Sequence, residues 1–317
     1  MIAAGSPDAA LADAMIEVRL RHDRAAVEQL RAVAEISAGA HLAGMRATRG
    51  ARTEAEIAGV MIGELRRHGL TESYGPIVTV HGEVLHNETH HNGIAPGDLL
   101  LADVGGETPE GWAGDITRVW PVSGTFSPTQ RAIYDVVLAA QEAAVARVRP
   151  GTSYRDIHET AKRVIVEGLR ALGIFRGDVS GLLERGAAAI FFPHGIGHLL
   201  GLDVHDMEDL GDRAGYAPGR ARDDRFGDRY LRLDRDLEPG MAVTIEPGFY
   251  RVPAILADPA ITGAVGADLD RSVLERYSDV RGIRIEDDVL CTEGDPDVLT
   301  RAVPKDAAAV EAVMAAR

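Results

Sequence analysis

Two kinds of segment alternate along the chain: long stretches with apolar residues every three or four positions, and short wholly apolar runs that end on an acid. The first kind covers residues 22–47, 53–68, 129–148 and 153–172, each predicted to be an amphipathic helix. A Gly-containing break separates the members of each pair, Arg49-Gly50 in one and Pro150-Gly151 in the other, and Ile57 and Ile157 follow at a similar offset. Residues 1–20 carry Asp8, Asp13 and Glu17 and have no apolar leader core. They are predicted to be helical, with Ser6 as N-cap and Pro7 in the first turn, and not a secretory signal.

The apolar runs repeat as well. Pro96-Gly97 opens Leu99-Leu100-Leu101 and leads to Asp103; Pro239-Gly240 opens 241–245 and leads to Glu246, so each acid stands seven residues after its proline. A second acid-bearing strand follows each, Gly114-Asp115-Ile116-Thr117 and 282–286 ending on Glu286. A Pro-Gly turn before a buried strand is ordinary. A carboxylate at the matching place in two buried strands is not, because an unpaired ionised acid in a core is costly. The pattern predicts two α/β halves related by a pseudo-repeat, each giving two acids to one site. The Gly-rich link between Asp103 and Asp115 suits a hairpin, hence antiparallel or mixed sheets. Residues 211–228, rich in Gly, Arg and Asp, are expected to form an exposed loop.

Composition narrows the function. The 317 residues carry a formal net charge of −15, which argues against phosphate-backbone binding. No apolar run approaches the roughly 18 residues of a membrane helix. The single cysteine, Cys291, excludes an internal disulfide and a thiolate-rich zinc site; a buried inert thiol and a cytoplasmic location are expected.

Four carboxylates converging in a core need protons, arginines or cations to neutralise them. Oxygen ligands with one imidazole suit Mn²⁺, with Zn²⁺, Co²⁺ or Fe²⁺ as alternatives. Two such ions can activate a bridging water and polarise a carbonyl together. The imidazole is expected from His194-Gly195-Ile196-Gly197-His198, and Gly201-Leu202-Asp203-Val204-His205-Asp206 adds another. The glycines of 195–201 miss the dinucleotide spacing, no His-Glu-x-x-His helix occurs, and 203–212 lacks the ligand spacing of a calcium loop.

Together with Leu101-Ala102-Asp103, Gly114-Asp115-Ile116-Thr117-Arg118, Ile245-Glu246-Pro247-Gly248 and Gly282-Ile283-Arg284-Ile285-Glu286-Asp287-Asp288, these motifs resemble the pita-bread metallopeptidases, in family order. The resemblance is to the aminopeptidase P and prolidase branch more than to methionine aminopeptidase, which lacks the Leu-Asp-Val-His phrase. It implies an α+β pita-bread (creatinase/aminopeptidase) fold, with two pseudo-symmetric helix-helix-strand halves around a mixed, largely antiparallel sheet. It further implies metal ligands Asp103, Asp115, His198, Glu246 and Glu286, with Asp115 and Glu286 bridging two divalent ions. Glu246 would also shuttle the proton, His194 and His205 would hold the scissile carbonyl, and His86 would be a further substrate-site histidine. Arg284 and Thr117 would brace the acids from behind.

Arg232, in Tyr230-Leu231-Arg232-Leu233, resembles the prolidase arginine that takes the free carboxylate of a C-terminal proline; otherwise it is an exposed arginine paired with Asp234 or Asp236. With the prolidase-like Val273-Leu274-Glu275-Arg276-Tyr277, it favours an Xaa-Pro dipeptidase, with an Xaa-Pro aminopeptidase acting on longer peptides as the alternative. A non-catalytic pita-bread binding protein or a creatinase-like hydrolase is disfavoured by the full ligand set. The expected partner is a proline-containing peptide, with neither nucleic acid nor membrane, and a homodimer is compatible with the branch. Two departures stand out. Asp103 and Asp115 are one residue further apart than is usual. The expected organisation is a helical extension over 1–16 and a catalytic domain over 17–317, without the branch's usual N-terminal domain.

Overall fold

Each of the two long helix pairs starts at a short polar residue that caps it, and each packs its apolar face onto an antiparallel sheet. The computed structural model describes residues 5–316; residues 1–4 of the expected N-terminal helix lie outside them. Helix α1 (Pro7–Arg19) begins at Ser6, whose hydroxyl accepts from the Ala9 amide, and it runs without a break across the boundary expected at residue 16. Helices α2 (Arg24–Ala47) and α3 (Glu54–Arg67) are capped by Asp23 and Thr53. Helix α4 (Pro128–Val145) starts with a reciprocal Ser127–Gln130 capping box, and α5 (Tyr154–Ala171) follows Ser153. Position for position the helices agree with the periodicity, to within the few residues by which helix ends fray.

The strands, in chain order, are β1 (Thr71–Glu72), β2 (Ile77–Thr79), β3 (Leu99–Asp103), β4 (Gly106–Glu107), β5 (Thr117–Pro121), β6 (Ala242–Ile245), β7 (Gly248–Tyr250), β8 (Gly282–Arg284), β9 (Asp287–Leu290) and β10 (Asp297–Val298). The first half forms the sheet β2-β3-β5 and the second forms β10-β9-β6, with the ribbons β1-β4 and β7-β8 beside them. Every pairing of these strands is antiparallel. The expected hairpin exists: Asp103 faces Thr117 across β3 and β5. At both strand entrances the glycine after proline has positive φ, 101° at Gly97 and 92° at Gly240, which a side chain would strain.

The halves join where the Glu286 amide donates to the Thr117 carbonyl, 3.1 Å apart, and where Arg118 of β5 pairs with Asp287 of β9 at 2.6 Å, both side chains fully buried. In the first half the strand flanking β3 is β2, a regular strand. Its counterpart beside β6 is the irregular segment 196–200, tied by Thr244 N–H to His198 C=O and Glu246 N–H to Ile196 C=O. A Cβ on Gly197 would lie 2.3 Å from the Thr244 carbonyl oxygen, so the glycines of this segment let it press against β6. Cys291 is buried, and burial pushes its thiol up to about 11. No helix among the described residues is long and apolar enough to cross a membrane.

Candidate active site

The strand ends deliver the acids to one place. Asp103 closes β3, Asp115 stands two residues before β5, Glu246 follows β6, and Glu286 sits in the gap between β8 and β9. With His198 they line a cavity of about 720 Å³ that His86, His194, His205, Arg232 and Arg284 also border. Thr117 lies behind it, fully buried. The folded chain thus brings together every residue that the motifs singled out.

Asp115, His198 and Glu286 each offer a ligand atom within 4.8 Å of the other two, a grouping that could hold a metal ion. His198 Nδ1–H donates to the Leu199 carbonyl at 3.0 Å, which leaves Nε2 as the unprotonated nitrogen. That nitrogen lies 3.4 Å from Asp115 and 3.9 Å from Glu246, as a ligand held by an outer hydrogen bond requires. Asp103 stands just outside the triplet and shares the Tyr74 hydroxyl with Asp115, at 2.5 and 2.7 Å.

Charge balance favours cations. Burial, reinforced by the charge of Asp103, pushes the Asp115 carboxyl up to about 8. Burial raises Glu246 to about 7 against the pull of His198 and Arg284, and raises Glu286 well above the carboxylate range, with Asp115 adding to it. Four clustered acids face one buried guanidinium, Arg284, and the deficit is what divalent ions would supply. The hard oxygen donors and single imidazole fit such ions.

Behind the acids runs a chain of hydrogen bonds. Arg284 donates to Asp103, to the Thr117 hydroxyl at 2.9 Å and to the Tyr250 hydroxyl at 3.0 Å. Thr117 in turn donates to Glu286 at 2.6 Å. Tyr250 meets His194 Nε2 at 2.9 Å, while His194 Nδ1 meets the Gly195 carbonyl at 2.7 Å. Burial and the nearby Arg284 push His194 down to about 3, so its ring is neutral. His205 packs edge-on against His198, with ring centres 4.3 Å apart, and its Nδ1 lies 2.9 Å from Glu208.

Two placements differ from expectation, and three further residues join the site. Arg232 pairs with Glu208, not with Asp234 or Asp236, which take Arg155 and Arg220. The segment 211–228 is not only a solvent loop: it folds back so that Arg222 and Phe226 reach the cavity. Tyr74, Tyr250 and Glu208 are site residues that the motifs did not reveal. Tyr74 stands 29 residues before Asp103 and in no repeated pattern, and the positions of Tyr250 and Glu208, beside Glu246-Pro-Gly and His205, were the only available signal.

Residues 28–293 match the model of metallopeptidase family M24. A protein of Coccidioides posadasii named probable Xaa-Pro aminopeptidase PEPP is 39% identical over 313 residues, covering 96% of this chain and 65% of that protein. Among solved structures, a substituted Escherichia coli aminopeptidase P in complex with substrate superposes with a TM-score of 0.79 at 37% identity, over 95% of this chain and 61% of that one. The Pseudomonas aeruginosa aminopeptidase PepP gives 0.78 at 36% identity, over 98% and 62%. The chain therefore spans less than two thirds of the length of these relatives. By matched motifs, fold and a family model covering most of its length, the chain belongs to metallopeptidase family M24, with the pita-bread fold and an acid-and-imidazole site suited to divalent metal.

Proposed function

We propose that the chain hydrolyses the amide bond between an N-terminal residue and proline, as an Xaa-Pro aminopeptidase acting on peptides that continue beyond the proline. The observation that carries the reading is the gathering of Asp103, Asp115, His198, Glu246 and Glu286, from both halves, around one cavity. The relatives that bear the aminopeptidase name support the longer-peptide alternative over the dipeptidase reading that Arg232 suggested. So does Arg232 itself, whose guanidinium is already engaged by Glu208. The dipeptidase reading keeps one foothold, because Arg232 does border the cavity.

The five residues named would hold two divalent ions, with Mn²⁺ the first choice and Zn²⁺, Co²⁺ or Fe²⁺ as alternatives. When bound, such a pair supplies Lewis acidity that activates water and polarises the scissile carbonyl. Glu246 holds and passes the proton from the attacking water to the proline nitrogen, which has no hydrogen of its own in the amide and leaves as the amine. His194 and His205 border the cavity and hold the substrate beside the scissile carbonyl, His194 through packing and its bond to Tyr250, since its single proton is turned to the Gly195 carbonyl. His86, which reaches the cavity from the opposite half, contacts the substrate. Arg284, Thr117, Tyr74 and Tyr250 position the acids and His194 through the hydrogen bonds described. The lone buried thiol of Cys291 suits a cytoplasmic setting.

The test compares Xaa-Pro-Yaa and Xaa-Pro peptides with and without chelator, followed by metal add-back. Cleavage of the Xaa-Pro bond that is lost on chelation and restored by Mn²⁺ is expected, with the longer peptides preferred. Cleavage indifferent to chelation would overturn the metal mechanism, and preference for Xaa-Pro would restore the dipeptidase.

A further inference from the structure

Three arginines border the cavity, and two are fully committed. Arg284 is buried and spends its donors on Asp103, Thr117 and Tyr250. Arg222 binds Asp212 and the carbonyls of Arg229 and Leu231, and lies over the Tyr216 ring. Arg232 differs: the one ion pair described for it is with Glu208. Glu208 uses its second oxygen on His205 Nδ1, at 2.9 Å. Its carboxylate therefore stands between the His205 imidazole and the one of these three cavity arginines not tied to the frame.

The backbone is built to put Glu208 there. Met207, immediately before it, is the one non-glycine residue with positive φ among those described, at 61°. A left-handed conformation at a side-chain-bearing residue is strained. Met207 is held in it because its side chain is buried in the core, 3% exposed. The resulting turn, Glu208–Leu210, aims Glu208 at both the main cavity and a smaller one of about 170 Å³ behind it, which Arg232 also lines.

We propose that Glu208 selects substrate length: by occupying Arg232 it withholds that guanidinium from a C-terminal carboxylate, and so disfavours free Xaa-Pro dipeptides relative to peptides that continue past proline. The inference rests on the Xaa-Pro reading of the cavity. The physical ground is competition. A dipeptide carboxylate must displace an acceptor that is always present, and then sit beside the charge it has displaced. A longer or amidated peptide brings no charge to this point and loses nothing.

The experiment uses the Mn²⁺-loaded full chain, with Xaa-Pro, Xaa-Pro-amide and Xaa-Pro-Yaa as substrates, and the variants Glu208→Gln, Glu208→Ala and Glu208→Gln/Arg232→Ala. Loss of the His205 contact lowers kcat for all three substrates and cancels in their ratio. Expected is a rise of about tenfold in the Xaa-Pro to Xaa-Pro-amide ratio of kcat/KM for both single variants, carried by KM and abolished in the double variant. An unchanged ratio in the single variants, or a rise that survives Arg232→Ala, overturns the proposal. Calorimetric affinities of Xaa-Pro and its amide for the same proteins read the selectivity without turnover. If no Xaa-Pro bond is cleaved by the wild type, the functional reading fails, while an unshifted carboxylate-to-amide affinity ratio independently sinks the role of Glu208.

Discussion

The two halves share a frame and divide the chemistry unequally. In each, the second helix of the pair starts with a fully buried polar residue that reaches the strands, Glu54 in α3 and Tyr154 in α5. Glu54 accepts from the Val80 amide at 2.8 Å, from Thr79 at 2.9 Å and from Asn92, and so organises the loop that carries His86. The Tyr154 hydroxyl makes one hydrogen bond, donating to the Thr244 carbonyl at 2.6 Å. In the first half the flanking strand is the regular β2, which contributes packing. In the second, the equivalent segment is broken by glycines and contributes His198, with His194 just ahead of it, and the chain between α5 and β6 is about twice as long as that between α3 and β3. The difference teaches that the repeat supplies two acids from each half, whereas three of the four cavity imidazoles and Arg232 come from the second half alone.

If both halves build the site, Asp115→Asn and Glu286→Gln should each cost at least about a hundredfold in kcat and lower the bound metal, since even outer partners of metal ligands cost 10–100-fold. Steady-state rates with metal analysis check this; an active, fully loaded Asp115→Asn protein would reduce the first half to scaffold. Thr117→Val, which takes the bridge between Arg284 and Glu286 from behind the site, should weaken metal affinity by about 10–100-fold without touching a proposed ligand. Chelation should lower the melting temperature by several degrees, because metal at a hundredfold over its Kd stabilises by about 2.7 kcal/mol. A melting curve blind to chelator would mean that the acids are neutralised by protons alone.

The helix starts sharpen the comparison at smaller scale. Glu54→Ala leaves several buried donors without an acceptor and should destabilise by about 3 kcal/mol, whereas Tyr154→Phe loses one hydrogen bond and should cost about 1 kcal/mol. Urea denaturation measures both. Equal losses would show that the two buried polar residues are interchangeable fasteners.

The long helices and the strands that lead to Asp103 and Glu246 were legible because each sits under a local pattern: the 3.6-residue stripe of α2 to α5, and the apolar runs of β3 and β6 behind Pro-Gly turns. The residues that join distant elements were not. Tyr74 touches two acids 29 and 41 residues away, and nothing in its local sequence distinguishes it from a turn tyrosine. Most of 211–228 is exposed, as expected, but that Arg222 and Phe226 reach the cavity was not legible for the same reason: composition reports polarity, not which wall a polar segment closes.

Local order therefore determined which residues are acids at strand ends, which histidines stand among glycines, and that the pattern occurs twice. Only the tertiary structure decided what those side chains face. Arg232 looked free to take a carboxylate, and the fold has placed Glu208 against it, 24 residues away in sequence. Periodicity follows from the geometry of a single element, whereas an ion pair across two loops depends on how the whole chain packs.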